Sequence, residues 1–351
     1  MQRRISSSLM LLSLLLLTAC TGQPVETQPK PAPEPPAPIV QTPPPTEPAP
    51  LPYTAPLTGL GSQERLDSKR PIMVMINNAP PARPQSGISK ADMIYEVLAE
   101  GEMTRFLSIF QSQEPDVIGP VRSIRPYFIQ IGIGFDAVLV HAGGSQEALT
   151  ALARSDYSHL DEIPNGRYFW RENFRKAPHN LYTKPDLIKQ AMQDKNMRMT
   201  SEVPHFTFLP ADAVITEGEP ATKVDLTFHS LNKAGFVYDE KVKKYMRFTA
   251  GKPHVDLSDN KQLSATNLLV IAAKHRVLDS EGRRQVDVVG PGDGYLFQQG
   301  KARKIKWKRS GGVIRAYSDT ALTEELPLLP GNTWIEILPT SPGLAQALKF
   351  Q

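Results

Sequence analysis

A single cysteine, Cys20, is all that the 351 residues contain. That scarcity excludes disulfides within the chain, a four-cysteine zinc site and a cysteine nucleophile in the folded part. Net charge is also small: 40 Lys and Arg face 36 Asp and Glu, a formal +4. Bulk charge therefore names no partner, although a local basic patch can still matter. Long hydrophobic runs are missing too. The apolar run Leu9 to Leu17 is too short for an ordinary transmembrane span. No internal repeat, His-Glu-x-x-His spacing or dinucleotide fingerprint is visible, so no cofactor or metal is expected.

The N-terminus is rich in meaning. Arg3 and Arg4, the apolar run and the small residues of Leu17-Thr-Ala-Cys20 read as a secretory signal over residues 1–20. Its end resembles the lipobox of bacterial lipoproteins, which implies that Cys20 is lipidated and becomes the mature N-terminus. Loss of Arg3 and Arg4 with the signal leaves a formal charge of +2. Thr21 and Gly22 after the cysteine carry no aspartate. Residues 21–56 are dominated by proline and read as an extended, disordered spacer.

Two domains are expected after it, at 57–215 and 216–351. In the first, "PIMVMI" (71–76) has buried-strand character, and strands near 92–98 and 104–110 join around Gly101. "FDAVLVHAGGSQEALTALARS" is a strand, a glycine pair and a helix capped by Ser145, and "KPDLIKQAMQDKNM" is a helix with Pro185 in its first turn. The pattern predicts an α/β fold with a mixed sheet. From 216 onward, short apolar runs divided by Gly, Pro, Asn and Asp predict a β-rich domain.

Three constellations are candidate sites. In "GPVRSIRPYF" (119–128), Ser123 is expected to cap a helix with Pro126 in its first turn, setting Arg122 and Arg125 beside free N–H groups. That favours an anion. The competing reading pairs these arginines with Glu96, Glu100 or Glu102 of the same domain. In "LVHAGGSQEAL" a strand ends at His141, Gly143 and Gly144 admit a ligand to the backbone, and Ser145 is better read as a cap than as a nucleophile. The span 169–183 gathers Arg171, Arg175, His179, Asn180 and Tyr182, as a binding loop or as a loop bonded to itself. Arg83, Gln85 and Arg105 complete the ligand candidates.

Acids that could flank a glycoside are Glu96, Glu100, Glu102, Asp161 and Glu162. An enzyme on a wall glycan, peptide or phosphate polymer would draw its proton transfers from Glu96, Glu100 or Glu102 with His141 or His179. In the second domain His254 and Asp256 fall on one face of a possible strand. Lys304, Lys306 and Lys308 alternate with Ile305 and Trp307 as a basic face that would shield an edge strand.

"RPIMVMINNAPPARPQSGISKADMIYEVLAEGEMTRFLSIF", "IGPVRSIRPYF", "VHAGGS" and "RKAPHNLY", followed by "YMRFTAGKPHVD", "VVGPGDGYLFQQGKARKIKW" and "LLPGNTWIEILP", closely resemble the YerB-like bacterial lipoproteins. The resemblance covers nearly everything after the spacer. It implies a two-domain envelope lipoprotein facing the extracytoplasmic side and brings no established reaction. The leading expectation is a non-enzymatic binding or scaffolding protein. Its partners would be the membrane, through Cys20, and a cell-wall polymer or envelope protein, with no nucleic acid.

Overall fold

A computed structural model describes residues 51–230 and 232–351. The signal, Cys20 and the spacer up to residue 50 lie outside the described residues. Order begins before residue 57: Tyr53–Thr54 pairs with Gly61–Ser62, and Ala55 and Leu57 are buried. The described residues make one compact unit.

The principal elements, in chain order, begin with β1 (Ile72–Asn77), β2 (Met93–Glu100), β3 (Met103–Phe110), α1 (Pro126–Ile133) and β4 (Val138–His141). Then come α2 (Gln146–Ala153), β5 (His159–Asp161), α3 (Pro185–Asp194), β6 (Lys223–His229), β7 (Asn232–Asp239) and β8 (Lys244–Thr249). The remainder are β9 (Asn267–Ala273), β10 (Gly292–Gln298), β11 (Lys301–Ser310), β12 (Val313–Tyr317), β13 (Thr333–Pro339) and β14 (Leu348–Phe350).

Strands predominate, which corrects the α/β expectation for the first half: its sheet is mixed, but only three short α-helices accompany it. The reason lies in the connections. β2 and β3 are joined by a tight turn at Gly101, at φ 52°, so no helical crossover separates them.

One eleven-stranded sheet runs β11-β10-β9-β13-β2-β3-β1-β4-β5, with Glu219–Pro220 and β12 also bonded to β11. β13, from near the C-terminus, lies parallel between β9 and β2, so the strands of the two halves of the chain meet at the centre. Central strands are covered on both faces, which is why "IMVMIN" is buried throughout rather than at every second residue. Val74 and Ile76 enter one core, Met73 and Met75 the other.

The first core is closed by α3, through Ile188, Ala191 and Met192, and by a six-stranded sheet containing β8-β7-β6-β14. β6 alternates buried Val224, Leu226 and Phe228 with exposed or half-buried residues, as a sheet covered on one face should. The second core is closed by α1 and α2. Beside it, a Cβ on Gly134 would stand 1.8 Å from the Gly312 carbonyl oxygen, so the end of α1 meets the β11–β12 turn backbone to backbone.

Candidate functional site

The site starts from the parallel pair β1 and β4, whose carboxyl ends, Asn77 and His141, point to the same edge of the sheet. The segment 118–125 crosses that edge as an extended strip. The Asn77 amide donates to the Pro120 carbonyl (2.9 Å), Ser86 to Gly119 (2.8 Å), Val121 to Leu181 (2.7 Å), Arg122 to Met75 (2.8 Å) and Ala142 to Arg122 (3.0 Å). Bonded on both sides, the strip does not turn helical at Ser123. Arg125, in β conformation and without a side-chain cap, precedes a helix that starts at Pro126. Ser123 is therefore not the cap. It offers its carbonyl to Arg105 Nη1 (2.8 Å).

The two arginines of the strip have opposite fates. Arg125 is buried and pairs with Glu100, which also accepts from Arg105 Nη2 at 2.6 Å. These three close an internal network and are not available to a ligand. Arg122 is half-buried, and among the described residues its guanidinium has no hydrogen bond or ion pair. Burial lowers its pKa, and no carboxylate offsets that.

Beside Arg122 stand His179 and Arg175. His179, half-buried, has burial first and then the Arg122 and Arg175 charges holding its pKa below the ordinary value. Asn77 Nδ2 lies 2.9 Å from His179 Nδ1, and Asn77 Oδ1 accepts the Ala79 amide, so the asparagine is the donor to that ring nitrogen. The imidazole then carries its proton on Nε2. Arg175 donates to the carbonyls of Ala82 (2.5 Å) and Pro84, fastening the 174–180 loop to the one that carries Arg83. Arg83 Nε donates to Asn78 Oδ1 at 2.9 Å. Its pKa is lowered by burial, against the opposing Glu96 charge. Arg122 and Arg175 thus set two fixed cations about the neutral His179 imidazole, a cationic niche, whereas Arg83 faces Glu96 and Arg247.

Other candidates have structural employment. His141 is buried, its Nδ1 2.9 Å from the Gly143 carbonyl and its Nε2 3.2 Å from His159 Nδ1. Burial first, against the Asp161 charge, pushes its pKa to about 4, leaving it neutral. The Gly143 amide donates to Asp161 Oδ1 (2.7 Å), so this glycine turn holds a carboxylate of its own chain. Gly144 packs against Ile124 and Leu149, while Ser145 accepts the Ala148 amide and caps α2. Arg171 pairs with Glu162 (3.2 Å) and bonds Asn180 Oδ1, and Asn180 Nδ2 donates to the Glu172 carbonyl, so these bonds stay within the loop and its neighbour. Glu102 pairs with His229 at 2.8 Å.

Gln85 is buried. It donates to the Asn77 carbonyl and Asn78 Oδ1, and accepts from His254 Nε2 at 2.7 Å. His254 Nδ1 in turn accepts from Arg247 Nε, while Asp256 accepts the amides of Gly87, Ser89 and Ser258. His254 and Asp256 therefore do not share a partner, because the strand there is only Lys252–Pro253 and the chain turns immediately after it. β11 is not an edge strand, since β10 and β12 flank it, and its Lys306 pairs with Asp293. Among the described residues no cluster of three or more His, Cys, Asp or Glu could hold a metal, and no helix is long and apolar enough to cross a membrane.

Two features carried no clear sequence signal. Asn77 and Asn78 orient His179 and Arg83, and a polar pair ending a buried strand was the available hint. Arg247 is buried between Glu96 (2.5 Å) and Glu336 (3.1 Å), with its guanidinium carbon 4.6 Å from the Trp334 ring centroid and 5.2–5.3 Å from those of Phe236 and Phe106. Glu96 and Glu336 are register partners on β2 and β13. Burial, then the Glu96 charge, raises the Glu336 pKa well above the ordinary carboxyl value. Glu96 is thus committed to binding the two sheets together.

A cationic niche on this strand-rich body, with no recognisable reactive set, matches a family defined by sequence rather than by chemistry. Residues 57–198 match the model "Protein of unknown function (DUF3048) N-terminal domain" and residues 224–335 its C-terminal counterpart. The chain belongs to this family, in its YerB-like form. The "Putative lipoprotein YerB" of Bacillus subtilis (strain 168) is 40% identical over 287 residues, 81% of this chain and 86% of that relative. The crystal structure of the YerB protein from Bacillus subtilis superposes with a TM-score of 0.77 at 38% identity, covering 85% of this chain and 99% of that one.

Proposed function

We propose that the protein is an exported lipoprotein, held to the membrane through Cys20 and facing the extracytoplasmic side, whose folded body binds an anionic envelope ligand without turning it over. The signal-like N-terminus and the name of the Bacillus subtilis relative support the anchor. The observation that carries the binding reading is Arg122: a half-buried guanidinium with no counter-charge, set beside His179. Desolvating a cation without pairing it is unfavourable, and an anion bound at that point offsets the cost. Of the groups suited to proton transfer, Glu96 is engaged with Arg247, Glu100 with Arg105 and Arg125, and His141 with Gly143 and His159, while His179 stands in the niche.

A cell-wall polymer or an anionic face of an envelope protein fits such a niche. The test is sedimentation of the full chain, in detergent, with purified sacculi and their associated polymers across a salt series. Binding that weakens with salt and is lost in Arg122→Ala/His179→Ala, with no soluble fragments released, is the expected result. Fragments released by wild type alone would make the protein a hydrolase. Binding unchanged in the double variant would place the ligand elsewhere.

A further inference from the structure

Away from the niche, a cleft of about 310 Å³ opens where the loop at Ser89 and Lys90 faces β8, the 259–264 turn and the turn before β13. That volume lies at the low end for small-molecule sites, enough for one compact ligand. Its charge is unbalanced. Lys90, Lys244 and Lys261 line it with Asp259 and Asp92. Asp92 is buried and occupied by the Gln111 and Ser112 amides and the Ser112 hydroxyl. Asp259 accepts from Ser89 Oγ (3.0 Å) and the Lys261 amide (3.0 Å), with Lys261 Nζ at 3.8 Å. Lys244 is half-buried, and among the described residues its ammonium has neither hydrogen bond nor ion pair. Burial lowers its pKa. Beside it Gln262 commits its Nε2 to the Arg247 carbonyl (2.8 Å), leaving its side-chain oxygen as an acceptor.

We infer that this cleft binds a single acidic sugar unit, the Lys244 ammonium taking the acid group and Gln262 and Ser89 taking ring hydroxyls. A compact ammonium suits one acid group, whereas forked recognition of phosphate favours arginine, and none lines the cleft. Much of the rest of the lining is donors and acceptors, and of its apolar members Ile88, Ala91, Leu263 and Trp334 are almost fully buried. That matches a polyhydroxyl ring better than an apolar peptide side chain. The cleft shares no residue with the Arg122 niche, so the inference stands or falls apart from it.

The test is calorimetric titration of the full chain in detergent with glucuronate, glucose and inorganic phosphate, using wild type, Lys244→Gln, Lys90→Gln and Arg122→Ala. Glucuronate should bind, glucose and phosphate at least tenfold more weakly. Lys244→Gln should weaken glucuronate about tenfold, Lys90→Gln should act in the same direction, and Arg122→Ala should leave it unchanged. Should Lys244→Gln melt early, Lys90→Gln decides. Equal binding of glucose or phosphate, no binding of glucuronate, or loss of its binding in Arg122→Ala would each overturn the assignment.

Discussion

Arg247 offers the sharpest test of how this body is held together. Replacing it with methionine keeps much of the apolar stem between Phe106, Phe236 and Trp334 but leaves Glu96 and Glu336 side by side without their cation. Breaking a buried pair in this way costs about 3–5 kcal/mol. In a folded body of this size, about 2 °C per kcal/mol converts that to a melting point about 6–10 °C lower. Glu336→Gln should behave differently. Burial and the Glu96 charge raise the Glu336 pKa well above the ordinary carboxyl value, so glutamine resembles the protonated form that the site favours. Its cost should stay within about 1 kcal/mol. The pH profile then separates the two variants. Above about pH 4.5 the unfolded chain releases the Glu336 proton while the folded chain retains it, so this group's stabilisation falls by about 1.4 kcal/mol per pH unit until the raised folded-state value is passed. Differential scanning calorimetry between pH 5 and 8 should show wild type losing stability relative to Glu336→Gln as pH rises. Parallel profiles, or Arg247→Met melting with wild type, would refute the reasoning.

Other outcomes follow from the same geometry. Arg125→Ala breaks the buried pair with Glu100 and should lower unfolding free energy by about 3 kcal/mol or more, whereas Arg122→Ala, which removes an uncompensated charge, should leave stability unchanged or higher in urea titrations. His141 is held neutral to about pH 4, so its contribution is complete above pH 6.5 and lost as pH falls toward 4; His141→Asn should flatten acid destabilisation in that window as followed by circular dichroism. Ser145→Ala removes the cap of α2 and should cost about 1 kcal/mol by the same denaturation assay. Gly134→Ala drives a methyl into the Gly312 carbonyl and should cost about 1–3 kcal/mol, with thermal melting as the readout.

Local signals in the sequence located the elements well. The apolar run at 71–76, the two strands about Gly101, the Ser145 cap and Pro185 in the first turn of α3 follow from periodicity and turn chemistry, which neighbouring residues determine. What periodicity could not supply is which strands adjoin. The helix expected at Ser123 gives way to an extended strip because β1 and the 181–183 segment bond to it, and those partners are remote in sequence. The same limit applies to charges. Arg122 and Arg125 look equivalent three residues apart, yet only Arg125 meets Glu100. Arg247 shares the inward face of β8 with Tyr245, but its carboxylates come from β2 and β13, beyond any local reading.

The position of β13 bears on how the molecule is made. Synthesis and any passage through a membrane proceed from the N-terminus, so β2 and β9 both emerge before the strand that belongs between them. Until Thr333–Pro339 arrives, each presents an unpaired row of amides and carbonyls with apolar faces, the kind of edge that recruits other chains. A nascent chain of this architecture has to stay unassociated until nearly its last residues are available. Truncation a short way from the C-terminus would therefore leave a gap in the middle of the sheet rather than trim its margin.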